Sequence, residues 1–210
     1  MNNYLYQTLT TYGTVFDLKC QLDCPENFID WTEKNFKYVK YNPRKNIERY
    51  GLSITSLDGG VSGIPDLDSL YEYNNENNTK YTEEDFKVFT KVYDYEPLQT
   101  FLNPLKDHIF RSHIIKLGCG GFFPPHRDYN GINFTSFRLL VPLKNNNVPD
   151  FNFIIEDKIY HWKPGVMYFI DTAKMHYLFN AGFDPSYFLV LNVKLNDNVV
   201  NYIIKNLKNG

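Results

Sequence analysis

From Arg111 to Leu195 the chain is a succession of short apolar runs cut by turn signals. The runs cover residues 112–117, 134–143, 151–155, 159–162, 166–170, 177–179 and 187–195. The breaks at 118–121, 144–150, 156–158, 163–165 and 181–186 are rich in Gly, Pro, Asn, Asp and Lys. Many short strands with this punctuation predict a sandwich or barrel. Composition agrees. Alanine occurs only at Ala173 and Ala181, whereas Tyr and Phe each occur 17 times. Alanine is the strongest helix former, and the aromatics favour half-buried pleated surfaces. A largely helical protein is therefore disfavoured.

The flanks read differently. Val199, Val200, Ile203, Ile204 and Leu207 recur three to four apart, predicting an amphipathic helix over 197–207 that packs on the sheet. Residues 27–36 suit a short helix, and Asn42-Pro43 is a turn signal. Residues 50–66 read as a strand running into a Gly- and Ser-rich loop, and the loop around 53–65 is a candidate flap over a site in the strand-rich half. Residues 74–78 read as an exposed polar tip. Thr82 followed by Asp85 resembles a capping box, and 96–107 suits a helix interrupted at Pro104. The expected layout is one compact domain: a mixed α/β extension over 1–110, a strand-rich core over 111–195 and a C-terminal helix over 196–210. The fold class is mostly β with flanking helices.

Charge narrows the partners. Lys plus Arg is 22 and Asp plus Glu is 24, a net charge of −2. That argues against a basic nucleic-acid stripe. A 43% hydrophobic composition argues against a disordered polyelectrolyte. The balance is uneven, net −6 over 1–110 and +4 over 111–210, so the second half is the better place to hold an anion. No apolar run approaches the ~18 residues of a membrane-spanning helix. The first twenty residues lack a basic start followed by an apolar stretch, so no signal peptide is expected. Cys20, Cys24 and Cys119 form no CxxC pair and read as free thiols of a reducing compartment, so the expected location is the cytoplasm.

The chemistry concentrates in Gly120-Gly121-Phe122-Phe123-Pro124-Pro125-His126-Arg127-Asp128. On an extended strand His126 and Asp128 share a face, roughly 6–7 Å apart at the backbone. One imidazole and one carboxylate converging there can bind a metal ion. His176 follows fifty residues later, just after the predicted strand 166–170 and its turn, and supplies a second imidazole. Two histidines and one carboxylate on one face, with open positions, is the arrangement of non-haem Fe(II) oxygenases. The competing reading is an accidental HxD on a surface strand. His108, His113 and His161 read as ordinary strand or surface histidines.

Residues 111–195 resemble the double-stranded β-helix (jelly-roll, cupin-like) core of the Fe(II)/2-oxoglutarate-dependent oxygenases. They are most similar to the aspartyl/asparaginyl β-hydroxylase-like branch, including its phage-encoded members. GGFFPPHRD resembles the strand that carries the first His and Asp. FRLLVPL (137–143) resembles the next strand with its arginine. YHWKPGVMYFIDT (160–172), HYLFNAG (176–182) and YFLVLNV (187–193) follow in the expected order. NPRKNIERYGLSITSLDGG (42–60) is similar to upstream segments of the phage proteins.

The resemblance implies that His126, Asp128 and His176 hold Fe(II), that 2-oxoglutarate and O2 are cosubstrates, and that an amino-acid side chain, peptidyl or free, or a related small molecule is hydroxylated. For a phage-encoded member the location would be the host cytoplasm. The distal carboxylate of 2-oxoglutarate needs a buried cation. Many relatives place an arginine ten residues after the distal histidine, and here that position is Ser186. Arg138 is the expected substitute, because an arginine fork pairs both carboxylate oxygens. Lys116, Tyr168, Ser186 and Asn180 are further cosubstrate candidates, and Arg127 and Tyr129 are substrate candidates. Asp171 is expected to brace the turn before His176. The Ser186 departure keeps two other readings open: a cupin-like metalloenzyme that does not use 2-oxoglutarate, and a non-catalytic jelly-roll binding module.

Overall fold

The computed structural model describes residues 3–128 and 135–208. The chain begins with α1 (Asn3–Thr10), β1 (Val15–Gln21), α2 (Pro25–Asn35), β2 (Val39–Lys40), β3 (Arg49–Ser53), β4 (Thr55–Ser56), α3 (Leu70–Asn77), β5 (Val88–Phe89) and α4 (Glu96–Leu102). Then come β6 (His113–Leu117), β7 (Phe122–His126), β8 (Ser136–Lys144), β9 (Phe151–Ile155), β10 (Lys158–Ile159), β11 (Val166–Ile170), β12 (His176–Asn180), β13 (Ser186–Lys194) and α5 (Asp197–Lys205).

From β6 onward the strands distribute over two antiparallel sheets. One runs β1-β11-β8-β13-β6-β3-β2 and the other β10-β9-β12-β7. Strands β6, β8, β11 and β13 lie in the first sheet and β7, β9, β10 and β12 in the second, which is a double-stranded β-helix. Three N-terminal strands, β1, β2 and β3, extend the larger sheet at its two ends.

The near-continuous apolar runs of β8, β11 and β13 follow from this layering. Successive side chains on a strand point to opposite faces, and both faces of the larger sheet are covered. Phe137, Leu139, Val141, Met167, Phe169, Leu189 and Leu191 enter one core, shared with Leu5 and Leu9 of α1, Phe28 and Ile29 of α2, Leu98 and Leu102 of α4, and Val199 and Ile203 of α5. Leu140, Val166, Tyr168, Ile170, Phe188 and Val190 enter a second core between the two sheets, with Ile115, Leu117, Phe153 and Leu178. A polar residue at an inward position of these strands therefore faces the space between the sheets. Strand β7 carries Pro124 and Pro125, which is compatible with its place at the edge of the smaller sheet.

Most sequence expectations are met. Helices α2 and α5 and strands β9 and β11 fall where the patterns put them, and the 96–107 segment is α4 followed by a 3-10 stretch, Asn103–His108. The polar tip at 74–78 is the end of α3 with its left-handed C-cap Asn78, exposed from Asn75 onward, and the N-cap Ser69 accepts from the Glu72 N–H (3.4 Å). The 53–65 segment is fixed only at its start. Ser53, Thr55 and Ser56 are buried, the Ile54 N–H donates to the Ser112 carbonyl (2.8 Å), and Thr55 Oγ1 donates to the Phe110 carbonyl (2.6 Å). Those bonds hold residues 53–56, whereas 57–65 are turns and bends with Asp58, Ser62 and Ile64 exposed.

Candidate metal centre

His126 ends β7, His176 opens β12, and the two strands pair antiparallel with these residues opposite one another. Asp128 lies just beyond β7, where its N–H donates to the Thr172 carbonyl (3.0 Å), fixing it beside the turn that leads to His176. The local fold thus brings together three residues drawn from two segments fifty residues apart. One ligand atom from each lies within 4.8 Å of the others. Nε2 of His126 is 3.4 Å from Asp128 Oδ1 and Nε2 of His176 is 3.9 Å from the same oxygen.

Both rings are oriented by their own backbone. Nδ1 of His126 lies 2.7 Å from the Pro124 carbonyl, and Nδ1 of His176 lies 3.0 Å from the Lys174 carbonyl. A carbonyl only accepts, so each Nδ1 carries the proton and each Nε2 presents its lone pair toward the common point. Arg138, inward on β8, holds the other oxygen of the carboxylate, with Nε 2.5 Å from Asp128 Oδ2. Burial alone would raise the Asp128 carboxyl, but Arg138 and the two imidazoles outweigh it and hold it well below the ordinary carboxylate range. At His126 burial opposes the charged form, yet Asp128 overrides it and the pKa rises. At His176 burial prevails and the pKa falls. The set offers two neutral nitrogens and one ionised oxygen, a donor set that suits a divalent first-row metal such as Fe(II).

The three residues open into a cavity between the sheets. Its walls include Tyr41, His113, Ile115, Phe123, Arg138, Leu140, Phe153, Thr172, Leu178, Phe188 and Val190. His113 is buried, and desolvation together with Arg111 and Arg138 lowers its pKa well below the usual imidazole value, so it is a neutral wall residue. In the sequence His113 reads as ordinary, and neither Tyr41 nor Thr172 stands out as a site residue. Tyr41 comes from the N-terminal half, and nothing local in the sequence links it to the site. The alternation along β6 was the available signal for His113, because it shares the inward face with Ile115 and Leu117.

Among the described residues, the structure does not bring the other candidates to this cavity. Lys116 points to the opposite face from Ile115 and pairs with Glu33 (2.8 Å) between the rings of Tyr38 and Tyr187. Tyr168 packs on Trp162 (5.0 Å between centroids), and its Oη accepts from the Lys163 N–H (3.0 Å). Ser186 is buried with its Oγ donating to the Asn145 carbonyl (2.5 Å). Asn180 brackets the chain: Nδ2 donates to the carbonyls of Leu117 (3.0 Å), Gly118 (3.2 Å) and Asp184 (2.8 Å), and Oδ1 accepts from the Gly182 N–H (3.0 Å). Arg127 is exposed. Tyr129 lies outside the described residues.

A family model described as Aspartyl/Asparaginyl beta-hydroxylase matches residues 69–195, more than half of the chain. No curated protein matches it. Among solved structures, the chain is similar to a Pseudomonas putida prolyl-4-hydroxylase at 11% identity and a TM-score of 0.50, over 93% of this chain and 100% of that one. It is also similar to the viral collagen prolyl hydroxylase of Paramecium Bursaria Chlorella virus-1 at 9% identity and a TM-score of 0.47, over 87% and 95%. A Burkholderia pseudomallei oxidoreductase of the 2OG-Fe(II) oxygenase family gives 12% identity and a TM-score of 0.46, over 80% and 77%. At such identities the likeness to the Pseudomonas enzyme bears on the fold alone.

Proposed function

Because the chain belongs to the aspartyl/asparaginyl β-hydroxylase family, we propose that it is an Fe(II)- and 2-oxoglutarate-dependent dioxygenase that hydroxylates an amino-acid side chain, peptidyl or free, or a related small molecule. The observation that carries this reading is the convergence of His126, Asp128 and His176 at an aromatic-walled cavity. Their donor set fits Fe(II). When bound, the metal and 2-oxoglutarate supply the oxidising power to place an oxygen atom from O2 into a C–H bond, with 2-oxoglutarate leaving as succinate and CO2.

The protein's own part is positional. His126 and His176 are held in one tautomer by backbone carbonyls. Asp128 is kept ionised and oriented by Arg138. Phe123, Phe153, Leu178 and Phe188 wall the cavity with apolar surface, which excludes water from the reacting centre. No helix among the described residues is long and apolar enough to cross a membrane. The three cysteines are free, and we place the protein in the cytoplasm, the host's if it is phage-encoded.

Ser186, in place of a basic residue, is the observation that favours a second reading, a cupin-like metalloenzyme independent of 2-oxoglutarate. Anaerobic titration with Fe(II) and then 2-oxoglutarate separates the two. A weak visible charge-transfer band that forms with both ligands, and is lost in His176→Ala, is expected. Bound iron without a band selects the second reading. No bound iron overturns both.

A further inference from the structure

Arg49, at the start of β3, is 5% exposed. Its Nε has no hydrogen-bond partner, and no carboxylate of the described residues lies within ion-pair distance of its guanidinium. The contrast is Arg111, equally buried at 5% and held by both oxygens of Glu83 (2.8 and 3.0 Å). Burial without such a partner pulls the Arg49 pKa below its ordinary value. An unpaired buried charge is costly, and the cost is relieved only by a counter-charge.

Position indicates where that counter-charge comes from. Arg49 pairs with Leu117, and Leu117 pairs with Ser186. Cross-strand partners share a face, and Leu117 faces the inter-sheet core. Arg49 therefore points inward from the same row of the sheet as Ser186, two strands away. Its guanidinium lies 4.5 Å from the Phe123 ring centroid and 5.6 Å from that of Tyr41. Both rings wall the metal cavity, and the Phe123 ring is 6.3 Å from the ring of His126. A guanidinium stacked on an aromatic face keeps its N–H donors in its own plane, free to fork onto a carboxylate.

We propose that Arg49 anchors the distal carboxylate of 2-oxoglutarate, supplying from β3 the cation that Ser186 does not supply from β13. The proposal rests on the 2-oxoglutarate-dependent reading. It assigns Arg138 a different task, because the Arg138 guanidinium is engaged by Asp128. A dicarboxylate held at the metal by its keto-acid end would reach Arg49 along Phe123, whose ring lies between the His126 ring and the guanidinium.

The test is anaerobic binding to the Fe(II)-loaded protein, read as the affinity for 2-oxoglutarate and for pyruvate, which has the same keto-acid end but no distal carboxylate. The wild type is expected to prefer 2-oxoglutarate. Arg49→Ala is expected to weaken 2-oxoglutarate by about 10- to 100-fold, leave pyruvate unchanged and retain iron. Arg49→Lys, which keeps the charge, is expected to recover part of the loss and serves if Arg49→Ala does not fold. Undiminished 2-oxoglutarate affinity in Arg49→Ala overturns the proposal and leaves a substrate carboxylate as the remaining counter-charge. Equal wild-type affinity for the two acids also overturns it. A wild type that binds iron but neither acid refutes the cosubstrate reading itself.

Discussion

Arg138 braces Asp128 from the side opposite the two imidazoles, its Nε 2.5 Å from Oδ2, while Oδ1 faces His126 and His176. The carboxylate is thus oriented before any metal arrives. Partners that orient a metal ligand commonly contribute 10- to 100-fold in affinity, roughly. Arg138→Ala is therefore expected to weaken Fe(II) or Co(II) binding by about that factor, with Arg138→Lys intermediate. Anaerobic calorimetric titration reads this directly. Unchanged metal affinity, with 2-oxoglutarate binding lost instead, would return Arg138 to the cosubstrate role.

Asn180 has the opposite signature. It sits close to His176 in sequence, but four hydrogen bonds commit its amide to the chain around 117–118 and 182–184. Asn180→Ala removes this donor from the buried Leu117 carbonyl and the part-buried Gly118 and Asp184 carbonyls, and a buried group left unsatisfied costs about 1–3 kcal/mol. A stability loss of about 3 kcal/mol in urea unfolding is expected, with metal affinity intact. Loss of metal binding in a variant that remains folded would place Asn180 in the site after all.

The pattern of what was legible follows from how far the information travels along the chain. Strands β9 and β11 were legible because a run of apolar residues ended by turn signals is a local feature. His126 and Asp128 were legible for the same reason, since two residues apart on an extended segment fixes their shared side. Lys116 was misplaced although the local rule sufficed: Ile115 and Leu117 face inward, so Lys116 faces outward, where Glu33 meets it. Arg49 was not legible as a site residue. Its place depends on β3 joining β6, a register between segments more than sixty residues apart. Nothing in the NIERYGLS segment announces which strand it will pair with. Strand β1 escaped notice likewise, because its half-buried residues acquire a pattern only beside β11.

Tyr6 ties helix α1 to the turn that leads to His176. Tyr6 Oη donates to Asp171 Oδ1 (2.7 Å), and the Ala173 N–H donates to the same oxygen (3.2 Å). The Lys174 N–H is bonded to the Asp171 carbonyl (3.2 Å), and the Lys174 carbonyl orients His176. Tyr6→Phe removes one hydrogen bond to a buried carboxylate and is expected to lower stability by about 2 kcal/mol. It should also loosen the turn, giving a smaller loss of metal affinity than Arg138→Ala. If metal affinity matches the wild type, the turn holds without α1.

Stability should depend on pH through Asp66, a buried carboxyl outside the metal cavity. Burial raises its pKa from 3.8 to about 6, against a partly offsetting hydrogen bond from Ser53 Oγ (3.2 Å). In this case the folded form holds its proton more tightly than the unfolded chain. Below pH 3.8 both forms are protonated and no stability is lost. As pH rises toward about 6 the unfolded chain ionises first, and stability falls. Above that the loss is constant, up to about 3 kcal/mol. Asp66→Asn keeps the acceptor for Ser53 and removes the ionisation. It is expected to be more stable than the wild type at pH 8 and equal to it near pH 4, by urea unfolding at each pH. An Asp66→Asn protein less stable at pH 8 would show that the ionised carboxylate has a compensating partner, with Arg111 the cation whose charge favours its ionised form.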